Sequence, residues 1–186
     1  MPFNKLFSLG LTKTGTTSIH HALLTLGIAS THDLDHARAI DKAVKTKQPP
    51  LSLIPKKIQA ITGGTVWHQH LAVLDQSYPG SKFILPIRDV DDWLVSIKRH
   101  TIRHNQLNHG KKPKRSFDPI KLRQTYNQHI KRIKEYFKDR PQDLLIINII
   151  GGEGYEKLCP FLGIPTKNGS FPHKNSLKKI VKVTKI

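Results

Sequence analysis

Near the start of the chain, the run Gly10-Leu-Thr-Lys-Thr-Gly-Thr-Thr-Ser18 combines two glycines, one lysine and several hydroxyls. Glycines let the backbone approach a ligand closely, and successive N–H groups leading into a helix N-terminus suit a phosphate-type anion. Lys13 lies inside this loop, where an ammonium would meet the bridging oxygen of a departing phosphate. Thr14, Gly15, Thr16 and Thr17 offer further N–H or hydroxyl donors. A second anion-binding pair is Arg88 with Ser96, eight residues apart. The guanidinium supplies a planar fork for a phosphate and the serine a hydroxyl donor. Any proton lost by a reacting group would need a His or carboxylate within hydrogen-bond reach.

Such groups work only if the chain positions them. Lys5 to Leu9 has the composition of a short strand, and Ile19, Ala22, Leu23 and Leu26 repeat at helical spacing up to Gly27. The loop therefore joins a strand to a helix. Ile28 to Thr31 suggests a second short strand and Asp35 to Thr46 a weak helix, while residues 51–66 carry no clear period. A helix over His68 to Ser77 leads through Tyr78-Pro79-Gly80 to a buried strand, Lys82 to Ile87. Arg88 closes that strand. Trp93, Leu94 and Ile97 mark a following helix capped at Asp89 or Asp91, and residues 99–115 have the polarity of a basic loop. Asp118-Pro119 opens a long amphipathic helix with Tyr126, Ile130, Ile133 and Phe137 on its stripe, ended by Arg140-Pro141. Leu144 to Ile150 is a further buried strand and Gly154 to Leu162 a short helix. Alternating strands and helices predict an α/β fold, a parallel sheet with helices on both faces, with both polar turns beyond the carboxyl ends of the strands.

The chain has 186 residues, 37% hydrophobic and 24% charged, enough for a core that buries roughly 70% of the unfolded surface. One domain over 1–186 is expected, with a basic loop near 99–117 and a basic tail at 177–186. No apolar run approaches the ~20 residues of a membrane span, and the N-terminus lacks a signal-peptide pattern, so a cytoplasmic protein is expected. Cys159 is the single cysteine, which excludes a disulfide framework and a cysteine-based zinc site. Thirty-one Lys+Arg against 13 Asp+Glu leave a net charge of +18, which points to an anionic partner without naming it.

The blocks KLFSLGLTKTGTTSIHHALLTLGI, YPGSKFILPIRDVDDWLVS, YNQHIKRIKEYFKDRP and YEKLCPFLGIP, in this order, resemble sulfotransferases that use 3′-phosphoadenosine-5′-phosphosulfate (PAPS). The likeness is closest to the short sulfotransferase branch. It implies a P-loop NTPase-like fold, with Lys13 to Thr17 on the 5′-phosphosulfate and Arg88 with Ser96 on the 3′-phosphate. It also implies transfer of a sulfuryl group to a hydroxyl or amine, with 3′-phosphoadenosine-5′-phosphate (PAP) as the other product. Sulfuryl transfer depends on positioning and on neutralising the leaving phosphate, and Lys13 would carry that charge. No metal is expected.

Two positions depart from the family pattern. The acidic residue often found ahead of the second block is replaced within Gly63-Gly64-Thr-Val-Trp-His68-Gln-His70, so His68 is the first candidate base, followed by His70, His32 and Asp33. Ser18 stands where many cytosolic members have an aromatic against adenine. Phe171-Pro-His-Lys-Asn175 either folds over the nucleotide or packs Phe171 into the core, and Trp67, Trp93, Tyr155 and Cys159 are expected to be buried. An acidic glycan or a small molecule suits the basic segment as acceptor. The alternatives are a P-loop nucleotide kinase or NTPase, disfavoured because Thr16 replaces the lysine of GxxxxGK[ST], and a non-catalytic nucleotide- or nucleic-acid-binding protein, for which no nucleic-acid motif is present.

Overall fold

The computed structural model describes residues 2–107 and 115–173. The tail 177–186, residues 108–114 of the basic segment, and Lys174 and Asn175 of the late motif lie outside the described residues.

Five parallel strands form one sheet in the order β2-β3-β1-β4-β5. They are β1 (Leu6–Ser8), β2 (Ser30–Thr31), β3 (Ala60–Ile61), β4 (Lys82–Pro86) and β5 (Leu144–Ile147). β3 lies in the stretch where the sequence has no clear period. Its two residues pair with β2 on one side and β1 on the other, Ala60 opposite Ser30 and Leu6. The helices are α1 (Thr16–Thr25), α2 (Leu34–Lys45), α3 (Leu71–Ser77), α4 (Val90–Leu107), α5 (Pro119–Tyr136) and α6 (Tyr155–Phe161).

Side chains alternate across a strand, and the core follows that period. Leu6, Ala60, Ile84 and Ile147 face α1 and α6, burying Ile19, Ala22, Leu23, Leu158 and Cys159. Phe7, Ile61, Phe83 and Leu85 face α2, α3 and α5, burying Ile40, Leu74, Ile133 and Phe137. Helices thus cover both faces of the sheet, as expected. Phe171 packs on Tyr155 with ring centroids 4.9 Å apart, so it belongs to the core. Trp67, Trp93, Tyr155 and Cys159 are buried as expected.

Residues 99–107 correct the sequence reading. They continue α4 rather than forming a loop, because Thr101 extends the buried row of Trp93 and Leu94 and no Gly or Pro interrupts them. The helix starts as foreseen, with the Asp89 carboxylate accepting from the N–H groups of Asp91 and Asp92, both at 3.0 Å. Asp118 caps α5 by accepting from the Lys121 N–H at 3.0 Å, with Pro119 in the first turn. Among the described residues, no helix is long and apolar enough to cross a membrane.

Because every strand is parallel, their carboxyl ends share one edge. β1 and β4 are neighbours there, at the point where the chain switches from building one side of the sheet to building the other. Crevices at such switch points are where ligands of open α/β sheets bind.

Candidate functional site

The loop after β1 is held from several directions. Leu9 donates its N–H to Ile84 O at 2.7 Å, and its carbonyl accepts from His129 Nε2 on α5 at 2.7 Å. Since a carbonyl only accepts, this bond assigns the proton to Nε2. Gly10 leaves no room for a side chain: a Cβ would stand 2.3 Å from Pro86 Cγ and 2.8 Å from Thr14 Oγ1. Thr14 closes a turn by donating both its N–H and its hydroxyl to Leu11 O, at 3.2 and 2.7 Å. Trp93 Nε1 on α4 donates to Thr12 O at 2.9 Å.

Within this frame Lys13 and Gly15 adopt left-handed backbone conformations, with φ of 76° and 103°. Glycine accepts that region freely, whereas an L-residue pays for it, and such outliers gather at ligand clamps. Gly15 then serves as N-cap of α1 without a side-chain bond, and the first turn holds no acidic residue. The first N–H groups of a helix have no intrahelical acceptor. Together with the helix dipole they form a positive pole above the Lys13 loop.

Arg88 leaves the adjacent strand with its backbone clamped by Tyr126. The Arg88 N–H donates to the phenol oxygen at 2.9 Å, and the phenol donates in return to Arg88 O. The side chain is half-buried, and its Nε is fully buried with no hydrogen-bond partner among the described residues. A guanidinium N–H orphaned in this way needs an acceptor. Ser96, in the second turn of α4, is half-buried, and its hydroxyl makes no hydrogen bond among the described residues.

Several cations act on one another in this region. Burial pulls the Lys13 ammonium below its ordinary value, and repulsion from Arg88 and then Arg103 adds to the effect. His100 is lowered by burial first, then by Lys13, Arg115, His104 and Arg103. Cations from the end of β4 and from the middle of α4 therefore converge on the Lys13 loop. Such a field is offset by an anionic ligand. Arg103 and His100 were missed because the sequence suggested a loop; the unbroken spacing from Trp93 through Ile97 to Thr101 was the available signal.

The histidines divide into distinct settings. His68 follows β3 in a single 3₁₀ turn and is 3% exposed, edge-on to Trp67 and stacked on His129 at 5.5 Å. Burial, with His129 and Arg132 adding, drives its pKa down to about 3. Trp67 and His129 thus enclose the imidazole that the sequence offers as first candidate base. His70 Nε2 donates to the Asp41 carboxylate of α2 at 2.8 Å, and Asp33 caps α2 by accepting from the Asp35 N–H at 2.8 Å. His32 differs from all of these. It follows β2 on the ligand edge, half-buried, with Nε2 3.2 Å from Thr17 Oγ1 and Nδ1 3.2 Å from Thr62 Oγ1. Among the described residues, no three His, Cys, Asp or Glu side chains form a group that could hold a metal ion.

Lys13, Thr14, Gly15, Thr16, Thr17 and Arg88 thus line one edge of the sheet, at two neighbouring strand ends. Among curated proteins none matches the chain. A family model described as a sulfotransferase domain matches residues 5–114 and 105–180, a span that includes the loop, Arg88, Ser96 and the helices that brace them. With the glycine loop, the arginine at the adjacent strand end and nearly the whole sheet inside that match, the chain belongs to the sulfotransferase domain family.

Proposed function

We propose that this sulfotransferase takes its sulfuryl group from PAPS and passes it to a hydroxyl or amine, releasing PAP. The observation that carries the reading is the convergence of Lys13 and Arg88 at adjacent strand ends, close enough for Arg88 to depress the Lys13 ammonium. One nucleotide with a phosphosulfate at its 5′ position and a phosphate at its 3′ position would occupy both sites. The buried, unpartnered Nε of Arg88 fits such a ligand, since only an acceptor from outside the described residues would satisfy it.

PAPS would supply an activated sulfuryl group on a phosphate leaving group. Lys13, with the N–H and hydroxyl groups of Thr14, Gly15, Thr16 and Thr17, holds the 5′ end and stabilises the charge that develops on the leaving oxygen. Arg88 and Ser96 hold the 3′-phosphate and set the register of the nucleotide. Because Arg supplies a planar donor fork, it orients that phosphate as well as attracting it. Trp93 and His129 act on the loop backbone, through Thr12 O and Leu9 O, and keep its N–H groups aimed at the anion.

Calorimetric titration with PAP tests the reading. Binding at micromolar protein is expected, weakened by Arg88→Ala. Heat from Mg-ATP but none from PAP would overturn it.

A further inference from the structure

We propose that His32 Nε2 is the proton acceptor of the reaction. This rests on the PAPS reading above and names the base at the same site.

The hydrogen bonds around the ring fix its tautomer. The Thr62 hydroxyl has one proton and donates it to Thr31 O at 2.8 Å. Its oxygen can then only accept from His32 Nδ1, 3.2 Å away. Nδ1 therefore carries the ring proton, and Nε2 keeps the lone pair of a base. Gly63 presses against this segment, where a Cβ would stand 2.4 Å from His32 O, so the β2 and β3 ends hold each other in place.

Nε2 points to the first turn of α1, 3.2 Å from Thr17 Oγ1. Thr17 also has a single hydroxyl proton and two acceptors within its range: Nε2, and an anion seated on the Lys13 loop. Giving that proton to the anion leaves Nε2 bare beside the transferring group. The acceptor O–H then gives its proton to Nε2 as its oxygen bonds to sulfur. The bond from sulfur to the phosphate oxygen breaks, and its electron pair leaves on that oxygen, opposite Lys13. Protons and charge balance with no further reactant.

The surroundings favour a neutral imidazole. His32 packs against His20 of α1 at 5.6 Å, with His21 of the same helix also within electrostatic range. On its own segment Asp33 is turned to the Asp35 N–H, and His36 bonds Thr31 Oγ1 at 2.7 Å. Thr62 and Gly63 of the β3 end bring no charge. Burial lowers the His32 pKa, the Thr62 contact opposes this, and His21 lowers it further.

The test uses the full chain with PAP and PAPS. Nitrogen-15 NMR of the PAP complex is expected to show His32 protonated at Nδ1 and bare at Nε2; the opposite tautomer overturns the proposal. Hydrolysis of radiolabelled PAPS, with water as the acceptor, is expected to fall about a hundredfold in His32→Ala and His32→Asn while PAP affinity stays within about threefold. The asparagine variant keeps a donor toward Thr62, so recovery of activity in it would show a positioning role and overturn the proposal. The wild-type rate should fall as pH drops through a value below 6.5. Absence of PAP binding in the wild type would instead remove the donor reading, so the two failures are distinct.

Discussion

Lys13 holds a backbone conformation that costs an L-residue about 1–2 kcal/mol. Its ammonium is also depressed by burial, Arg88 and Arg103. Neither feature benefits the folded protein alone, and both become favourable once an anion sits on the loop. Lys13→Gly separates the two effects. Removing the strain should leave stability unchanged or raise it by up to about 1 kcal/mol, offset in part by the entropy of glycine in the unfolded chain. Removing the charge should slow sulfuryl transfer by about a hundredfold or more. Chemical denaturation and PAPS turnover on the same preparation check both. A variant that is less stable and equally active would contradict this account.

At the scale of elements, the parts of the site that could be read from sequence are those made by neighbouring residues. The strand, glycine loop and helix around Lys13, the Asp89 cap after β4 and the Asp118-Pro119 start of α5 are all local patterns, and each is present. What could not be read depends on distant contacts. β3 is only Ala60 and Ile61, too short to show a period, and it is a strand because β1 and β2 pair with it from both sides. His68 looked available because of its place after that stretch, yet the packing of Trp67 and His129 encloses it. Tyr126 appeared only as one residue of an apolar stripe, but its hydroxyl holds both backbone groups of Arg88. Tyr126→Phe keeps the ring and leaves those two groups unpaired. The expected cost is about 2 kcal/mol in stability, with weaker PAP binding and little change in the transfer rate of the saturated enzyme. Urea unfolding and calorimetry measure the two effects.

For the whole molecule, acid is the condition that should expose its weakness. The folded state holds His68 at about 3 against an ordinary 6.5. Between those values the unfolded chain binds a proton that the folded chain refuses, so stability is full above pH 6.5 and declines as pH falls toward 3. From pH 7 to pH 5 His68 alone should remove about 2 kcal/mol. His20, His32 and His129 are lowered as well and act in the same direction. Urea midpoints at the two pH values check this, and His68→Phe should flatten the difference. A net charge of +18 steepens the trend, because protonating carboxylates removes the few groups that offset it.

The bond from Trp93 Nε1 to Thr12 O joins an indole to the loop expected to grip the donor. The other of the two tryptophans, Trp67, is sealed in the core with its Nε1 on Gly63 O at 3.0 Å. Any shift of the loop therefore changes the emission of one fluorophore while the other stays constant, giving the protein a built-in optical signal for the arrival of its nucleotide.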